Sequence, residues 1–417
     1  MNFITNMKQF TAIEYLAIDI ANQFGNDNEV GFRGDKDEFE KRIQWVRDNF
    51  KVLEARATEA EEPLLYSKAV SAFRKALQGK PIGHSVALDA VCSGMQLMSV
   101  LTGCHKGALI TGLIDPEKRY DAYTEVTAAM NILLERMNME MLEVSRKDAK
   151  NAVMTALYGS KATPREIFGD LLPVFYQAGT KVASGAFALL ELLRDTWDKT
   201  ALFHEWVLPD GHQAYVPVTV EFEDRLQVDE FKYTMNVEYT DVACSDYGLA
   251  NIANVVHSID AYVLRTVVRK CNYNETAVRN FIKAVKEPTY TQTIDPSINK
   301  INELYAVSGM ADISALQHIN AGNIHLVDVA LVEKLKVSVA CMVQYTPFEV
   351  TTIHDSYAAH PNNCNILRYW YRETLAEIAD STVLQWILNQ LHGDDLPFDK
   401  DSDDLSNYIR KSNYSLG

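Results

Sequence analysis

The sequence feature that most limits the possible fold is a short apolar run that ends on an acid. Residues 85–88 (SVAL) lead directly into Asp89, and residues 352–354 (TIH) lead into Asp355 in the same way. A carboxylate at the end of a buried strand destabilises the fold unless it is paired or binds a cation. Mg²⁺ prefers two carboxylates together with substrate phosphates. Each acid taken singly is nevertheless more typical of a turn or cap residue.

A cationic tract lies between these two acids. Arg146, Lys150, Met154 and Tyr158 are spaced by four and therefore share one face of a helix. Residues 145–165 contain five cations and one acid, whereas the whole chain carries a net charge of −16. The two cations at the start of this face suit phosphate oxygens. If the tract stood alone, a solvated helix face would be the favoured interpretation.

Composition sets broad limits on the class of protein. The 417 residues are 47 % hydrophobic and 23 % charged, which is typical of a folded chain with two or three subdomains. The charge of −16 alone argues against a nucleic-acid binder. Six cysteines without a pairing pattern indicate free thiols. Residues 1–5 do not resemble a signal peptide, and we expect no transmembrane helix because no long apolar window occurs.

Periodicity predicts an α+β fold that is mostly helical. Two β-rich segments, 216–222 and 231–239, look like a hairpin, and 349–357 looks like strand, turn and strand. Pro209-Asp210-Gly211 predicts a turn. Residues 272–325 are polar and interrupted by Pro288 and Pro296, which suggests an irregular insertion. The predicted helices cover 10–80, 115–142, 144–158, 164–200, 247–270 and 363–392.

Several weaker signals favour structural roles. Residues 399–403 begin like a calcium loop, but Asp404 stands where glycine is required, so a solvated acidic tail (394–404) is expected. His257 and Asp260 are spaced like a hydrolase dyad, but without a nucleophile elbow the histidine is better explained as a satisfied helical residue. Cys92 is interpreted as a small core residue. The sequence contains no Gly-rich phosphate loop.

Taken together, three tracts resemble the single-subunit RNA polymerase family of bacteriophages and mitochondria. DAVCSGMQ at 89–96 resembles its motif A, RKDAKNAVMTALYGSK at 146–161 resembles motif B, and IHDSY at 353–357 resembles motif C. Order and spacing agree with the family. The resemblance implies a DNA-directed RNA polymerase that transfers nucleotides from NTPs by a two-metal mechanism.

The resemblance also implies roles for single residues. Asp89 and Asp355 would hold two Mg²⁺ ions, with the carbonyl of Ala90 as a further ligand. One ion would activate the primer 3′-hydroxyl, and the other would hold the triphosphate and pyrophosphate. Arg146 and Lys150 would clamp the β- and γ-phosphates, and Lys150 would act as general acid.

Further residues belong to the implied nucleotide pocket. His354 would orient the primer end or the motif C backbone, Tyr158 would lie under the base near the ribose, and Tyr123 matches another pocket aromatic. Gly94 stands where related DNA polymerases carry a glutamate that would collide with a 2′-hydroxyl. Met154 stands where those relatives carry phenylalanine. Both differences favour ribonucleotides.

On the same grounds the fold would be a right-hand polymerase palm and fingers. Residues 1–115 would form the first part of the palm, 116–262 the fingers with a specificity-hairpin-like ribbon at 216–239, and 263–417 the second part of the palm, with an insertion at about 272–330 and a C-terminal tail. The acidic ribbon disfavours base reading. The resemblance further implies that the thumb and the N-terminal domain lie outside this chain. An Asp-x-x-Gly-Arg palm motif is also expected to be missing ahead of Asp89, since residues 32–35 (FRGD) do not fit it.

The expected partners follow from this division. The chain resembles the larger, catalytic subunit of a two-subunit phage polymerase, a heterodimer whose smaller subunit supplies the thumb and N-terminal regions. DNA template, RNA product and NTPs would bind, with no membrane partner, in the cytoplasm of an infected bacterial host. A single-strand DNA-binding accessory protein is a further candidate partner. The alternatives are a family A-like DNA polymerase or primase-like enzyme, and a non-catalytic scaffold with a polymerase fold.

Overall fold

The structure is a computed structural model that describes residues 6–139, 141–393 and 396–417. The segment 1–5, for which no signal peptide is expected, and the acid pair 394–395 of the predicted tail lie outside the described residues. The described chain is mostly helical with short antiparallel sheets, in agreement with the predicted α+β class.

The helices follow one another with few strands between them. They are α1 (Ala12–Phe24), α2 (Phe39–Asp48), α3 (Pro63–Leu77), α4 (Ser93–Thr102), α5 (His105–Ile110), α6 (Ala122–Arg136), α7 (Arg146–Leu157), α8 (Ala162–Phe168), α9 (Leu172–Val182), α10 (Ser184–Asp195), α11 (Ala250–Cys271), α12 (Glu275–Lys286), α13 (Pro296–Ser308), α14 (Val329–Met342), α15 (Cys364–Ala379), α16 (Val383–His392) and α17 (Leu405–Ile409). The strands are β1 (Asn26–Asp27), β2 (Phe32–Arg33), β3 (Val86–Asp89), β4 (Phe203–Val207), β5 (Gln213–Pro217), β6 (Thr219–Val228), β7 (Tyr233–Val242), β8 (Thr351–Ile353) and β9 (Ser356–Ala359).

A three-stranded antiparallel sheet of order β3-β9-β8 joins distant parts of the chain. The predicted strand–turn–strand at 349–357 is confirmed as the hairpin β8–β9, and β3 adds to the free edge of β9. The side chains of Val86, Leu88 and Tyr357 are buried, so one face of the sheet belongs to the core. Helices α1 and α15 pack against this sheet.

The two predicted hairpins in the middle of the chain are confirmed. Pro209-Asp210-Gly211 turns the chain between β4 and β5, and Gly211 has the positive φ of +77° that such a turn favours. Strands β6 and β7 pair over ten residues each and form a long exposed ribbon. Its turn contains Lys232 in the left-handed conformation.

Four helix predictions were wrong in their limits. The helix expected over 164–200 is divided into α8, α9 and α10. The helix expected from 115 begins at Ala122, because Asp115 instead accepts the backbone N–H groups of Glu117 and Lys118 in a local turn, and Asp121 caps α6. The helix expected over 363–392 is divided into α15 and α16 by a break at 380–382. Residues 10–80 include the short pair β1–β2.

The interpretation of residues 272–325 as irregular was also wrong. This segment contains α12 and α13, and its prolines do not interrupt helices, since Pro296 occupies the first turn of α13. Asn274 and Asp295 cap the two helices by accepting backbone N–H groups. Phe281 and Leu316 are buried in the common core, so the segment is packed rather than loosely attached.

Residues 415–417 are attached to the edge of the β3-β9-β8 sheet and to α4. Ala90 forms a β-bridge with Leu416, and the Gly417 N–H donates to the Asp89 carbonyl at 2.9 Å. The Gln96 side chain donates to the Ser415 carbonyl at 3.0 Å. In the described part of the predicted acidic tail (394–404), the acids Asp399, Asp401, Asp403 and Asp404 are exposed, as predicted. Lys400 nevertheless anchors this segment by donating to the carbonyls of Ala379 and Ser381.

Two further observations bear on the class of protein. All six cysteines are free, as predicted. Within the described ranges, no helix is long and apolar enough to cross a membrane.

A buried carboxylate fixes the β4–β5 turn to α11. Asp210 accepts hydrogen bonds from Arg265 at 2.7 Å and from Arg269 at 3.0 Å, and its side chain is only 1 % exposed. Burial alone would raise the pKa of Asp210. The hydrogen bonds and charges of the two arginines outweigh burial, so the pKa is lowered.

We therefore expect Asp210→Asn to lower the free energy of unfolding by about 2 kcal/mol at pH 7, because charge-assisted hydrogen bonds are lost. A lowered carboxyl pKa stabilises the fold above the unfolded value of about 3.9, and this contribution is lost as pH falls through the folded value. The difference between variant and wild type should therefore shrink from pH 5 toward pH 2.5 in urea titrations. The exposed Asp195→Asn is the control. A difference that stays constant with pH would contradict the assignment.

Candidate active site

The pairing of β3 with β9 brings the two predicted carboxylates to one end of the sheet. Asp89 lies opposite Ser356, and the N–H of Ala90 donates to the carbonyl of Asp355 at 3.1 Å. His354 occupies the β8–β9 turn with φ +53°, a strained conformation for a residue with a β-carbon. The turn thus places His354 and Asp355 beside the end of β3.

The local electrostatics disfavour two ionised carboxylates at this position. Asp89 opens onto a cavity, yet the surrounding protein desolvates it enough to raise its pKa. A hydrogen bond from Ser356 opposes this shift, and the negative charge of Asp355 reinforces it. A carboxylate pair of this kind is stabilised by a cation between its members.

Helix α7 provides the cationic wall of the same cavity. Ser145 caps its first turn and accepts the N–H of Asp148, and Ala149 and Val153 are buried in the core. The opposite face carries Lys150 and Met154 to the cavity, as the spacing of four predicts. The helix ends at Leu157, and Gly159 follows with φ +90°, in agreement with the predicted glycine stop.

Arg146 is held by an acid that sequence reasoning did not single out. Its Nε lies 2.5 Å from an Asp121 carboxylate oxygen. Burial pushes the pKa of Asp121 upward, but the hydrogen bonds from Arg146 and Thr124 outweigh it and lower the pKa. Arg146 is therefore adjacent to the cavity but already engaged in an ion pair.

Tyr123 packs between the cations and the motif A turn. Arg146 and Lys150 lie 5.5 Å and 5.8 Å from the centre of its ring. Its hydroxyl is hydrogen-bonded to Cys92, which adopts a left-handed conformation (φ +54°) immediately before α4. Tyr123 thus links the N-terminal end of α4 to the cationic face of α7.

Gly94 makes room for the hydroxyl of Tyr158. A β-carbon at position 94 would lie 3.3 Å from Tyr158 Oη, which is closer than an ordinary contact. The Tyr158 hydroxyl is hydrogen-bonded to Ser93, and desolvation raises its pKa to about 12. The ring centre of His257 lies 4.6 Å from that of Tyr158.

Most of these groups line one open cavity of about 600 Å³. Its walls are formed by the end of β3, the start of α4, the face of α7, α11 and the β8–β9 turn. Of the predicted residues, the cavity is lined by Asp89, Ala90, Gly94, Tyr123, Lys150, Met154, Tyr158, His354 and Asp355, whereas Arg146 lies behind Asp121.

Comparison with known proteins agrees with this geometry. Residues 9–166 match the family described as DNA-dependent RNA polymerase, and this stretch contains the motif A and motif B tracts. The chain is also 24 % identical over 342 residues to the DNA-directed RNA polymerase of Pseudomonas phage phiKMV. The chain is therefore similar to a phage DNA-directed RNA polymerase, and its similarity to the DNA-dependent RNA polymerase family extends over residues 9–166.

The match to the phage polymerase covers different shares of the two proteins. It covers 67 % of this chain but only 40 % of the relative. Neither comparison provides support for a separate smaller subunit.

The structure adds residues to the site that sequence reasoning missed or discounted. The cavity is also lined by Asp35, Lys36, Arg119, Asp121, His257 and Asp260. His257 was interpreted as a satisfied helical residue, but it is exposed to the cavity and contacts Tyr158. Residues 32–35 (FRGD) do not fit the Asp-x-x-Gly-Arg motif, yet Asp35 and the following Lys36 line the cavity. A signal for His257 and Asp260 existed in their spacing, but it was assigned to the wrong chemistry.

The donor set for a metal consists of carboxylates. Asp89 and Asp355 lie at adjacent strand ends, and the described part of the chain contains no group of three or more Asp, Glu, His or Cys side chains arranged around a common point. A backbone carbonyl such as that of Ala90, water and substrate oxygens are further ligands that a metal ion at this position would accept.

A third carboxylate raises the electrostatic strain in this cavity. Desolvation and the charge of Asp355 raise the pKa of Asp260 to about 6, although His354 opposes the shift. A raised carboxyl pKa means that the fold is destabilised once pH exceeds the unfolded value of about 3.9, and the full effect is reached above pH 6.

We expect Asp260→Asn to be more stable than the wild type at pH 8 by about 2 kcal/mol, with little difference at pH 4. Urea titrations in EDTA, which removes bound metal, measure this difference. The exposed Asp170→Asn is the matched control and should show no such pH dependence. A variant that is less stable than the wild type at pH 8 would contradict the assigned environment.

Proposed function

We propose that this chain catalyses DNA-directed RNA synthesis. The observation that supports the proposal most strongly is the convergence of three separate tracts on one cavity. Residues 89–94, 146–158 and 353–355 are far apart in sequence, yet carboxylates, cations and an aromatic hydroxyl from them meet there. The polymerase activity is a proposal because the match covers only 40 % of the length of the phage relative.

The carboxylate pair fits divalent metal ions. Asp89 is desolvated and repelled by Asp355, so a bound cation removes an unfavourable interaction rather than adding a new constraint. We assign Asp89 and Asp355 to two Mg²⁺ ions, with the Ala90 carbonyl as an additional ligand. Bound Mg²⁺ would supply activation of a 3′-hydroxyl and charge neutralisation on the leaving pyrophosphate.

The cationic wall would bind the triphosphate. Lys150 lines the cavity from α7, and its ammonium group provides three donors. A proton on this group can be given to the leaving pyrophosphate oxygen, the role of a general acid. Arg146 would reach a phosphate only by sharing or leaving Asp121. His354, at the β8–β9 turn, is assigned to orientation of the primer end.

The aromatic end of the cavity would hold the base and ribose. Tyr158 and Tyr123 offer ring surfaces, and Met154 adds an apolar contact. Gly94 leaves open the space that a side chain would take beside the Tyr158 hydroxyl. This space favours a ribonucleotide, whose 2′-hydroxyl needs room and a polar partner.

The larger architecture follows from the same assignment. We assign residues 1–115 and 263–417 to the palm and 116–262 to the fingers. DNA template, RNA product and NTPs are the proposed ligands, and the phage relative supports action in the cytoplasm of an infected host. A smaller subunit stays a proposal, to be tested by whether a second phage polypeptide copurifies with this chain.

Removal of either metal-binding carboxylate should abolish catalysis. We expect Asp89→Asn and Asp355→Asn each to reduce extension of an RNA primer on single-stranded DNA by at least about a thousandfold, because transition-state charge stabilisation is lost. The protein should be purified from phage-infected cells, so that any chain bound to it is retained. Asp170→Asn, an exposed acid, is the control. Full activity in either variant would overturn the proposal.

The ribose assignment is tested by Tyr158→Phe, which removes only the hydroxyl. We expect the ratio of kcat/KM for rNTP over dNTP to fall by about tenfold, the equivalent of one hydrogen bond worth about 1.4 kcal/mol. The exposed Tyr215→Phe should leave the ratio unchanged. An unaltered ratio in Tyr158→Phe would remove this residue from sugar selection, and a wild-type preference for dNTPs would instead indicate a DNA polymerase.

A further inference from the structure

Arg119 is a buried cation at the edge of the cavity with few partners. It lies between α5 and α6, is 8 % exposed, and lines the cavity beside Asp89 and Asp121. Its Nη2 donates to the main-chain oxygen of Gly417 at 3.4 Å, which is near the limit for a hydrogen bond. Among the described residues, its Nε has no hydrogen-bond partner and its guanidinium makes no ion pair within 4 Å.

A second buried arginine, Arg42, shows how a buried guanidinium is stabilised when its N–H groups have hydrogen-bond acceptors. Arg42 is also buried, and it donates to the Asp37 carbonyl at 2.9 Å, the Asn22 side chain at 2.9 Å and the Asp35 carbonyl at 2.6 Å. Arg42 therefore has a structural role that accounts for its burial. Arg119 has no comparable set of acceptors within the described protein.

The acids around Arg119 are engaged elsewhere. Asp121 is bonded to Arg146, Asp35 lies 3.9 Å from Lys36, and Asp89 accepts a hydrogen bond from Ser356. Their charges attract Arg119 at longer range, while Arg42 and Arg119 repel each other. An arginine remains charged in proteins, so a buried guanidinium without a bonded anion is costly to the fold.

We propose that Arg119 binds a phosphate group of the bound substrate in this cavity. The proposal rests on the polymerase function proposed above and deepens it by adding a phosphate ligand outside the motif B helix. A planar guanidinium fork matches phosphate oxygens, and burial strengthens the charge-assisted hydrogen bonds. The phosphate belongs either to the triphosphate of the incoming nucleotide or to the 3′-terminal phosphodiester of the RNA strand.

The unliganded protein provides the first test. Because Arg119 is a poorly partnered buried charge, we expect Arg119→Met to leave Tm unchanged or to raise it, whereas Arg42→Met should lower Tm by several degrees. A structural tether between Arg119 and Gly417 predicts the opposite result for Arg119. A fall in Tm of Arg119→Met with unchanged phosphate binding would overturn the proposal.

Binding measurements separate the two sources of phosphate. Calorimetry on the full chain with inorganic tripolyphosphate probes the nucleotide arm, and the same protein with an RNA primer annealed to single-stranded DNA probes the strand arm. We expect Arg119→Met to weaken the affinity for one of these two ligands at least tenfold, and Arg119→Lys to weaken the same affinity less. Arg136→Gln, on the exposed surface of α6, should change neither affinity.

Each outcome bears on the proposal. Loss confined to tripolyphosphate assigns Arg119 to the incoming nucleotide, and loss confined to the primed template assigns it to the RNA strand. Unchanged affinity in both arms overturns the proposal. Arg119-dependent tripolyphosphate binding in a protein that incorporates no nucleotide would support the phosphate site and refute the polymerase function, so the two failures are distinguishable.

Discussion

The antiparallel pairing of β3 with β9 is the interaction on which the candidate site depends. It joins the end of the motif A strand to the motif C turn through the register of Asp89 with Ser356 and the hydrogen bond from Ala90 to Asp355. A shift of one residue in this register would turn Asp89 toward the core and Leu88 toward the cavity. Burial of Val86, Leu88 and Tyr357 makes such a shift costly, so apolar packing fixes the position of the charges.

The register is reinforced from the other edge of β3. Leu416 bridges Ala90, and Gln96 joins the tail to α15 by donating to Ser415 while accepting from the Tyr371 hydroxyl at 2.6 Å. Arg368 donates to the Asn413 carbonyl at 2.7 Å and so holds the tail from behind. Residues 413–417 therefore hold the strand that ends in Asp89 in place. No apolar periodicity in these residues predicts this role.

Local pattern was enough to predict much of the site. The spacing of four correctly predicted the shared face of Lys150, Met154 and Tyr158, although Arg146 is paired with Asp121. The alternation at 349–357 correctly predicted the hairpin. Prediction failed where long-range packing or side-chain capping decided the outcome. Asp121 rather than Asp115 began α6, and residues 272–325 formed helices because capping by Asn274 and burial of Phe281 outweighed their polar composition.

The cavity residues that sequence analysis did not predict were missed for a different reason. Asp35, Lys36 and Arg119 belong to segments without periodic structure, so neither their exposure nor their neighbours could be deduced from spacing. His257 and Asp260 lie on a helix whose pattern was correctly predicted, but which face meets the cavity depends on how α11 packs against α4 and α15. Sequence pattern gives the face of a helix, and tertiary packing decides what that face meets.

The cavity contains unpaired charges of both signs close together. Asp89 and Asp355 together lack a cation, while Arg119 lacks a bonded anion, and the cations and carboxylates of the site do not simply neutralise each other. A direct ion pair between Arg119 and one of these carboxylates would reduce both unpaired charges. They are kept apart instead, because Asp89 is fixed by the sheet and Arg119 by the loop before α6. Under the polymerase function proposed above, a metal ion bound to a substrate phosphate would balance charges of both signs at once.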